Sequence, residues 1–296
     1  MTEPLLDLEN LTVRFRTPRG EITAVDRLSL QLARGEVLGL IGESGSGKSV
    51  TLRALLRILP EKRTAISGGM RVNGRDVLGL KGRGLRAYRG GTVSMVFQEP
   101  ATALDPVFTI GQQISQAVMA HKGCSKTDAM KRALEMLELV KIPSAASRLG
   151  SYPHEMSGGM RQRAMIALAL STSPDLLLAD EPTTALDATV QIQVILLLRE
   201  LQKELGMGVI FVTHDVGVAA EISDRVAVMY AGRLAETGTA RQVLGLPRHP
   251  YTQGLLASSV QGLEPGARIG AIPGMPPDLA QMPPGCAFAP RCALGR

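Results

Sequence analysis

Eight consecutive residues, Gly42-Glu43-Ser44-Gly45-Ser46-Gly47-Lys48-Ser49, fit the pattern G-x-x-x-x-G-K-S/T, and their types suit one task, the holding of phosphate. Glycines let a backbone curl until successive N–H groups point at one oxyanion, and a following helix adds the positive end of its dipole. Lys48 offers a cation for the β- and γ-phosphates, and the Ser49 hydroxyl offers a ligand for Mg2+. The apolar run Val37 to Ile41 reads as a buried strand before this loop, and Val50 to Leu56 reads as a helix after it. A glycine-rich surface turn capped by Ser49 is the competing reading, and the flanking strand and helix argue against it. Nucleotide binding by Gly42 through Val50 is expected.

A second group of residues supplies acids. Leu176-Leu177-Leu178-Ala179-Asp180-Glu181 is an apolar strand ending in two carboxylates, and such ends lie beside ligand sites in parallel α/β sheets. Asp180 is expected to hold the Mg2+ shell and Glu181 to polarise an attacking water. Upstream, Ser157-Gly158-Gly159 opens a helical stretch through Leu170. Taken alone, that is also an ordinary N-cap and turn.

In this company Met156-Ser157-Gly158-Gly159-Met160 resembles the signature of the ATP-binding cassette (ABC) family, usually Leu-Ser-Gly-Gly-Gln at a helix N-terminus. Met156 and Met160 depart from it conservatively, and Met at the last position fits the peptide-importer branch. The resemblance implies an α/β P-loop NTPase of cassette type: a RecA-like core, an antiparallel β subdomain and an inserted helical subdomain. It implies that Gln98 is the Q-loop glutamine, touching Mg2+ or its water, and that His214 is the switch histidine holding the γ-phosphate. Asp187 resembles the D-loop aspartate, and it can equally cap the helix read over Val190 to Leu205. Ser157, Gly158, Gly159 and Asp187 would then contact nucleotide held by another cassette. Phe15 matches the aromatic that stacks on adenine, although Leu11, Val13 and Phe15 alternate like one strand face and leave a core role open.

The elements that must position these groups follow from periodicity. Strand-like segments rich in Val, Leu and Ile surround the loop up to about Met95. The pattern turns helical over about 99–163, with apolar residues recurring at three and four between Asp128 and Val140. Strands return at Val209 to Thr213, Arg225 to Tyr230 and Arg233 to Glu236. Residues 1–240 are therefore expected to form the ATP-binding domain and 241–296 an extension. Nine of the 18 prolines, Pro265 among them, fall in that last stretch, which by composition reads as a linker or irregular appendage. Yet His249-Pro250-Tyr251-Thr252, Ile272-Pro273-Gly274 and Pro284-Gly285-Cys286-Ala287-Phe288-Ala289-Pro290-Arg291-Cys292 resemble the C-terminal extension of oligopeptide and dipeptide importer ATPases. Gln98 through Pro106 resembles the same branch.

That resemblance implies ATP and Mg2+ as ligands, and a partner ATPase subunit, non-identical by the habit of the branch or a second copy. It also implies two transmembrane permease subunits, an extracytoplasmic solute-binding protein and a place on the cytoplasmic face of the cell (inner) membrane. The cargo it implies is a peptide, with nickel or another small solute as the alternative. In these importers the tail can contribute cysteines to an iron-sulfur cluster. With only Cys286 and Cys292 nearby, where four thiolates are needed, no stoichiometric cluster is expected in the 296-residue chain.

Composition limits the alternatives. Hydrophobic residues make up 45% of the chain, enough for a large core, yet no apolar run reaches the roughly 18–20 residues that span a bilayer. Met1 to Asp7 lacks the build of a secretory signal, so a cytosolic protein is expected. The net charge of +6 is scattered and aromatics are 3%, a poor basis for nucleic-acid binding. Three cysteines give no disulfide framework. No Asn-Lys pair occurs, which argues against a GTPase. Long heptad insertions and a second cassette, marks of ABC ATPases acting on DNA or ribosomes, are also missing from the sequence.

Overall fold

The computed structural model describes residues 3–18, 20–184, 186–258 and 270–295; of the residues named above, Met1 and Pro265 lie outside it. Contacts divide the chain into two units, Met1–Gly79 with Ile210–Arg296, and Leu80–Val209.

The first unit opens with β1 (Leu6–Thr17) and β2 (Gly20–Leu32), an antiparallel pair that sets Leu6 opposite Leu32 and Phe15 opposite Ile22. Leu6, Leu8, Leu11 and Val13 are all buried, although strict alternation would turn the second pair outward. A register shift between Leu8 and Leu11, with Asn10 at φ 50°, absorbs the extra residue and restores the apolar face. Next come β3 (Val37–Ile41), buried at all five positions, and α1 (Lys48–Leu55). Then β4 (Thr64–Val72) pairs with β1 and β5 (Arg75–Asp76) with β4, completing an antiparallel sheet in the order β2-β1-β4-β5.

The second unit is mostly helical. Its elements are α2 (Gly82–Ala87), β6 (Val93–Val96), α3 (Pro100–Ala103), α4 (Ile110–Lys122), α5 (Lys126–Leu139), α6 (Ala145–Arg148), α7 (Gly158–Leu170), β7 (Leu176–Asp180) and α8 (Ala188–Leu205). Side chains start the longer helices: Thr109 and Gln112 form a reciprocal capping box at α4, and Ser125 caps α5. Gly123 and Gly206, both left-handed, end α4 and α8. β6 and β7 run parallel, Val96 beside Ala179.

The chain re-enters the first unit along β8 (Gly208–Val212), followed by α9 (Val216–Ile222), β9 (Arg225–Tyr230), β10 (Arg233–Thr239), α10 (Ala240–Gly245) and α11 (Pro250–Ala257). There the strand order is β10-β9-β3-β8, with β3 and β9 parallel. Among the described residues, no helix is long and apolar enough to cross a membrane.

The proline-rich tail differs from its reading as an irregular appendage. Pro250 stands in the first turn of α11, where its missing N–H costs nothing. Tyr251 and Phe288 are buried in one cluster with Ile41, Val226, Val228 and Tyr230. The Phe288 and Tyr230 rings meet edge to face, 5.2 Å between centroids. Phe288→Ala is therefore expected to lower stability by about 3–5 kcal/mol, read as a lower denaturation midpoint; a midpoint equal to that of the unsubstituted chain would contradict this packing.

Candidate nucleotide site

In the first unit, the turn from β3 into α1 is shaped by glycine. Gly42 sits at φ +148° and a Cβ there would stand 2.2 Å from the Met229 carbonyl oxygen; at Gly47, φ +102°, it would stand 2.6 Å from that of Ala24. No other residue fits either place. The backbone so folded brings Lys48 inward: its Nζ donates to the carbonyl oxygens of Gly42 (2.7 Å) and Glu43 (2.8 Å) and to Ser46 Oγ (3.3 Å). The side chain is only 5% exposed, so a buried ammonium is held by an acceptor for each of its three protons. Ser44 and Gly45 are exposed at the turn, Ser46 is buried, and Ser49 and Val50 are half-buried on the first turn of α1. No side chain caps α1 and no acid lies in its first turn, which suits an N-terminus facing an anion.

His214 belongs to the same unit, exposed two residues past β8, the strand beside β3. Its flanks are fixed: Thr213 Oγ1 accepts from the Asp215 amide at 3.0 Å, and Asp215 caps α9 through Gly217 and Val218. Phe15 is half-buried, unlike Leu11 and Val13, so the alternation that would make it a core residue stops short of it.

The second unit holds the acids and the signature-like turn. Asp180 ends β7 with 3% exposure. Glu181 follows at φ +46°, a left-handed conformation that side chains with a Cβ adopt at a cost of about 1–2 kcal/mol. Its Oε2 accepts from Gln98 Nε2 at 3.2 Å and from Thr184 Oγ1 at 3.1 Å. Thr184 was not singled out from the sequence, where it is one of two threonines after a proline. Ser157 caps α7, its Oγ accepting from the Met160 amide at 3.3 Å, while Ser157 and Gly158 remain exposed. Met156 is buried, which explains why one apolar residue can replace another there. Gly159 lies against α8: a Cβ would meet Val190 Cγ1 at 2.7 Å. Asp187 caps α8 through the Val190 amide at 3.0 Å.

Ser49, Asp180 and Gln98 are hard oxygen donors, and the described residues contain no group of three or more His, Cys, Asp or Glu that could cage a metal. Each of Ser49, Asp180 and Gln98 is a donor of the kind magnesium takes, an ion that keeps its waters and leans on one or two carboxylates and on substrate phosphates. The tail cysteines fit a cluster poorly: Cys286 is exposed, Cys292 half-buried, and Cys124 lies in the other unit between α4 and α5. Two thiols are half of the usual ligand set.

The sequence between residues 25 and 184 matches the family described as ABC transporter, and residues 235–296 match the C-terminal region of oligopeptide/dipeptide transporters. A protein of Brucella abortus that carries the name of a peptide import ATP-binding protein is 48% identical over 304 residues, covering 99% of this chain and 90% of the relative. A second, similarly named, is 49% identical over all of this chain and 89% of its own length. Among solved structures, the dimeric ATP-binding cassette MJ0796 in a post-hydrolysis state with ADP and Pi superposes with a TM-score of 0.71 at 28% identity, over 80% of this chain and 99% of that one. CbiO1 of Clostridium perfringens, part of an ABC transporter complex, gives 0.70 at 27%, over 83% and 92%.

Proposed function

Because the chain belongs to the ABC transporter family, we propose that it is the ATP-hydrolysing subunit of a peptide importer. The observation that carries the cargo class is the union, in one chain, of a cassette with a tail matching the oligopeptide/dipeptide transporter C-terminal region. The peptide-import names of relatives at 48–49% identity support the same class.

In the proposed chemistry the loop of residues 42–49, its Glu43 amide tied to Tyr251, and the Lys48 ammonium bind the β- and γ-phosphates, and Phe15 stacks on adenine. Glu181 takes a proton from water as its oxygen bonds to the γ-phosphorus, and the bond to the β,γ-bridging oxygen breaks to release ADP. Gln98 and Thr184 keep the Glu181 carboxylate oriented, and His214 holds the γ-phosphate. Ser49, Asp180 and Gln98 would hold Mg2+, which would supply neutralisation of phosphate charge. Two cassettes close head to tail, so that Ser157, Gly158, Gly159 and Asp187 of this chain contact nucleotide held by the partner cassette. The dimeric state of MJ0796 supports the pairing of two cassettes.

The partners are a second ATPase subunit, non-identical by the habit of the branch, two permeases and an extracytoplasmic binding protein. The site of action is the cytoplasmic face of the membrane. The purified chain on its own should accordingly hydrolyse ATP poorly, since each site is completed by another cassette; a specific activity that stays high and constant down to concentrations far below any dimer constant would sink the pairing. Reconstitution in vesicles with the cognate permeases and binding protein tests the cargo. Peptides are expected to stimulate ATP turnover, and stimulation by nickel alone would reassign the importer.

A further inference from the structure

We propose that the C-terminal extension positions the nucleotide loop, with Arg291 and Tyr251 acting through Glu43 to hold residues 42–48 in the form that accepts a triphosphate. The inference rests on the reading of those residues as a nucleotide cradle and extends the machinery to a part of the chain outside the cassette motifs.

Glu43 is gripped from three sides. Its carbonyl oxygen accepts from Lys48 Nζ at 2.8 Å, its amide donates to Tyr251 Oη at 2.8 Å, and its carboxylate receives both arms of Arg291, at 2.8 and 3.2 Å. The guanidinium spends its remaining donors nearby. Nε donates to the Pro273 carbonyl, Nη2 also to that of Ile272, and Nη1 also to Tyr230 Oη. Its side chain is 5% exposed and lies over the Tyr230 and Phe288 rings. A planar fork with every arm engaged fixes its partner far better than a surface ion pair does.

The surroundings keep both groups in the state this requires. Burial raises the Tyr251 phenol above the ordinary tyrosine range, so it stays neutral, and the bond to Glu43 raises the Arg291 guanidinium further still. The tail also faces the loop at a second place: Pro277 and Leu279 line a cavity of about 350 Å3 together with Ser44, Gly45 and Ser46.

A contact that merely fastened the tail would end at a scaffold residue. This one ends on the residue whose carbonyl anchors Lys48. A shift of Glu43 moves the resting partner of the cation meant for phosphate, and turns its amide, now directed at Tyr251, elsewhere. Arg291 and Tyr251 are positioning residues in this sense and need touch no nucleotide.

The test is titration of the full chain with a fluorescent N-methylanthraniloyl ATP, alongside its thermal midpoint. Arg291→Met should weaken binding about 10-fold, the scale of a lost charge-assisted bond, and Arg291→Lys should recover part of it, since a point charge replaces one arm of the fork. Tyr251→Phe, which removes only the oxygen accepting from Glu43, should weaken binding about threefold with little change in midpoint, on the scale of a neutral bond. Arg291→Met combined with Glu43→Gln should bind no worse than the weaker single variant, because both break one link.

Binding within twofold of the unsubstituted chain, tighter binding, or losses that add across the pair would each overturn the proposal. Should Arg291→Met fail to fold, Tyr251→Phe and Glu43→Gln decide by the same criteria. Lys48→Ala is the reference: an unsubstituted chain that binds no better than Lys48→Ala would overturn the nucleotide reading itself, and this inference with it.

Discussion

Glu181→Gln should bind ATP with unchanged affinity and turn it over about 100- to 1,000-fold more slowly, the range in which general bases contribute. The amide keeps the size of the side chain and can still bond Gln98 and Thr184 through its oxygen, so the ground state is preserved. What disappears is the group able to take the proton of water. A loss confined to the rate constant, with nucleotide affinity intact, marks an interaction used only on the way to the transition state. The backbone reinforces the assignment, since φ +46° is a conformation the chain adopts at some cost immediately after a buried strand. Single-turnover kinetics with the paired cassettes provide the measurement. Near-normal turnover by the Gln variant would remove Glu181 from the chemistry.

Lys48→Ala should act on the other side of the reaction, raising the dissociation constant for ATP about 10- to 100-fold, as expected when a charged hydrogen-bond donor is lost from its ligand. A further cost falls on the loop. Three acceptors, the carbonyls of Gly42 and Glu43 and Ser46 Oγ, lose the ammonium at once, and the turn then has less to hold it closed. Equilibrium titration separates this variant from Glu181→Gln: affinity fails in one and rate in the other. ATP affinity within twofold of the unsubstituted chain would exclude Lys48 from phosphate binding.

The local structure around the candidate site residues was legible in the sequence wherever those residues are neighbours in the chain. Gly42 to Ser49 form one turn, and Asp180 with Glu181 one strand end, so pattern and periodicity reach them. Helix ends were legible for the same reason: the helix read over Asp128 to Val140 is α5, Lys126–Leu139, and that over Val190 to Leu205 is α8, which begins at Ala188 behind its Asp187 cap. The half-burial of Phe15 was not legible, because a register shift between Val13 and Arg14 interrupts the face that buries Leu11 and Val13, and such shifts leave little mark on composition. The packing of the tail escaped more fully, although its resemblance to the oligopeptide/dipeptide transporter C-terminal region was legible. Proline content argues against regular structure, but burial of Tyr251 and Phe288 depends on partners such as Tyr230 and Ile41 that lie far away in the chain. The grip of Arg291 on Glu43 joins residues 248 positions apart, a distance no local pattern can bridge.

The first unit is also discontinuous, and that sets a schedule for its synthesis. Strand β3 pairs with β9, Leu38 beside Arg225, and the Val37 amide waits for the Asp224 carboxylate, 187 residues further on. At ~5–20 residues per second, a ribosome takes roughly 10–40 s to deliver that partner. Until β8 emerges, both edges of a strand buried at all five positions in the finished protein are uncovered, and one stays so until β9 follows. Unpaired apolar edges invite association with other chains, so the nascent chain should be most prone to aggregate after β3 emerges and before β9 does. Slowing translation within residues 80–209 is expected to lower soluble yield more than slowing it after Tyr230, a comparison that synonymous codon changes alone would make.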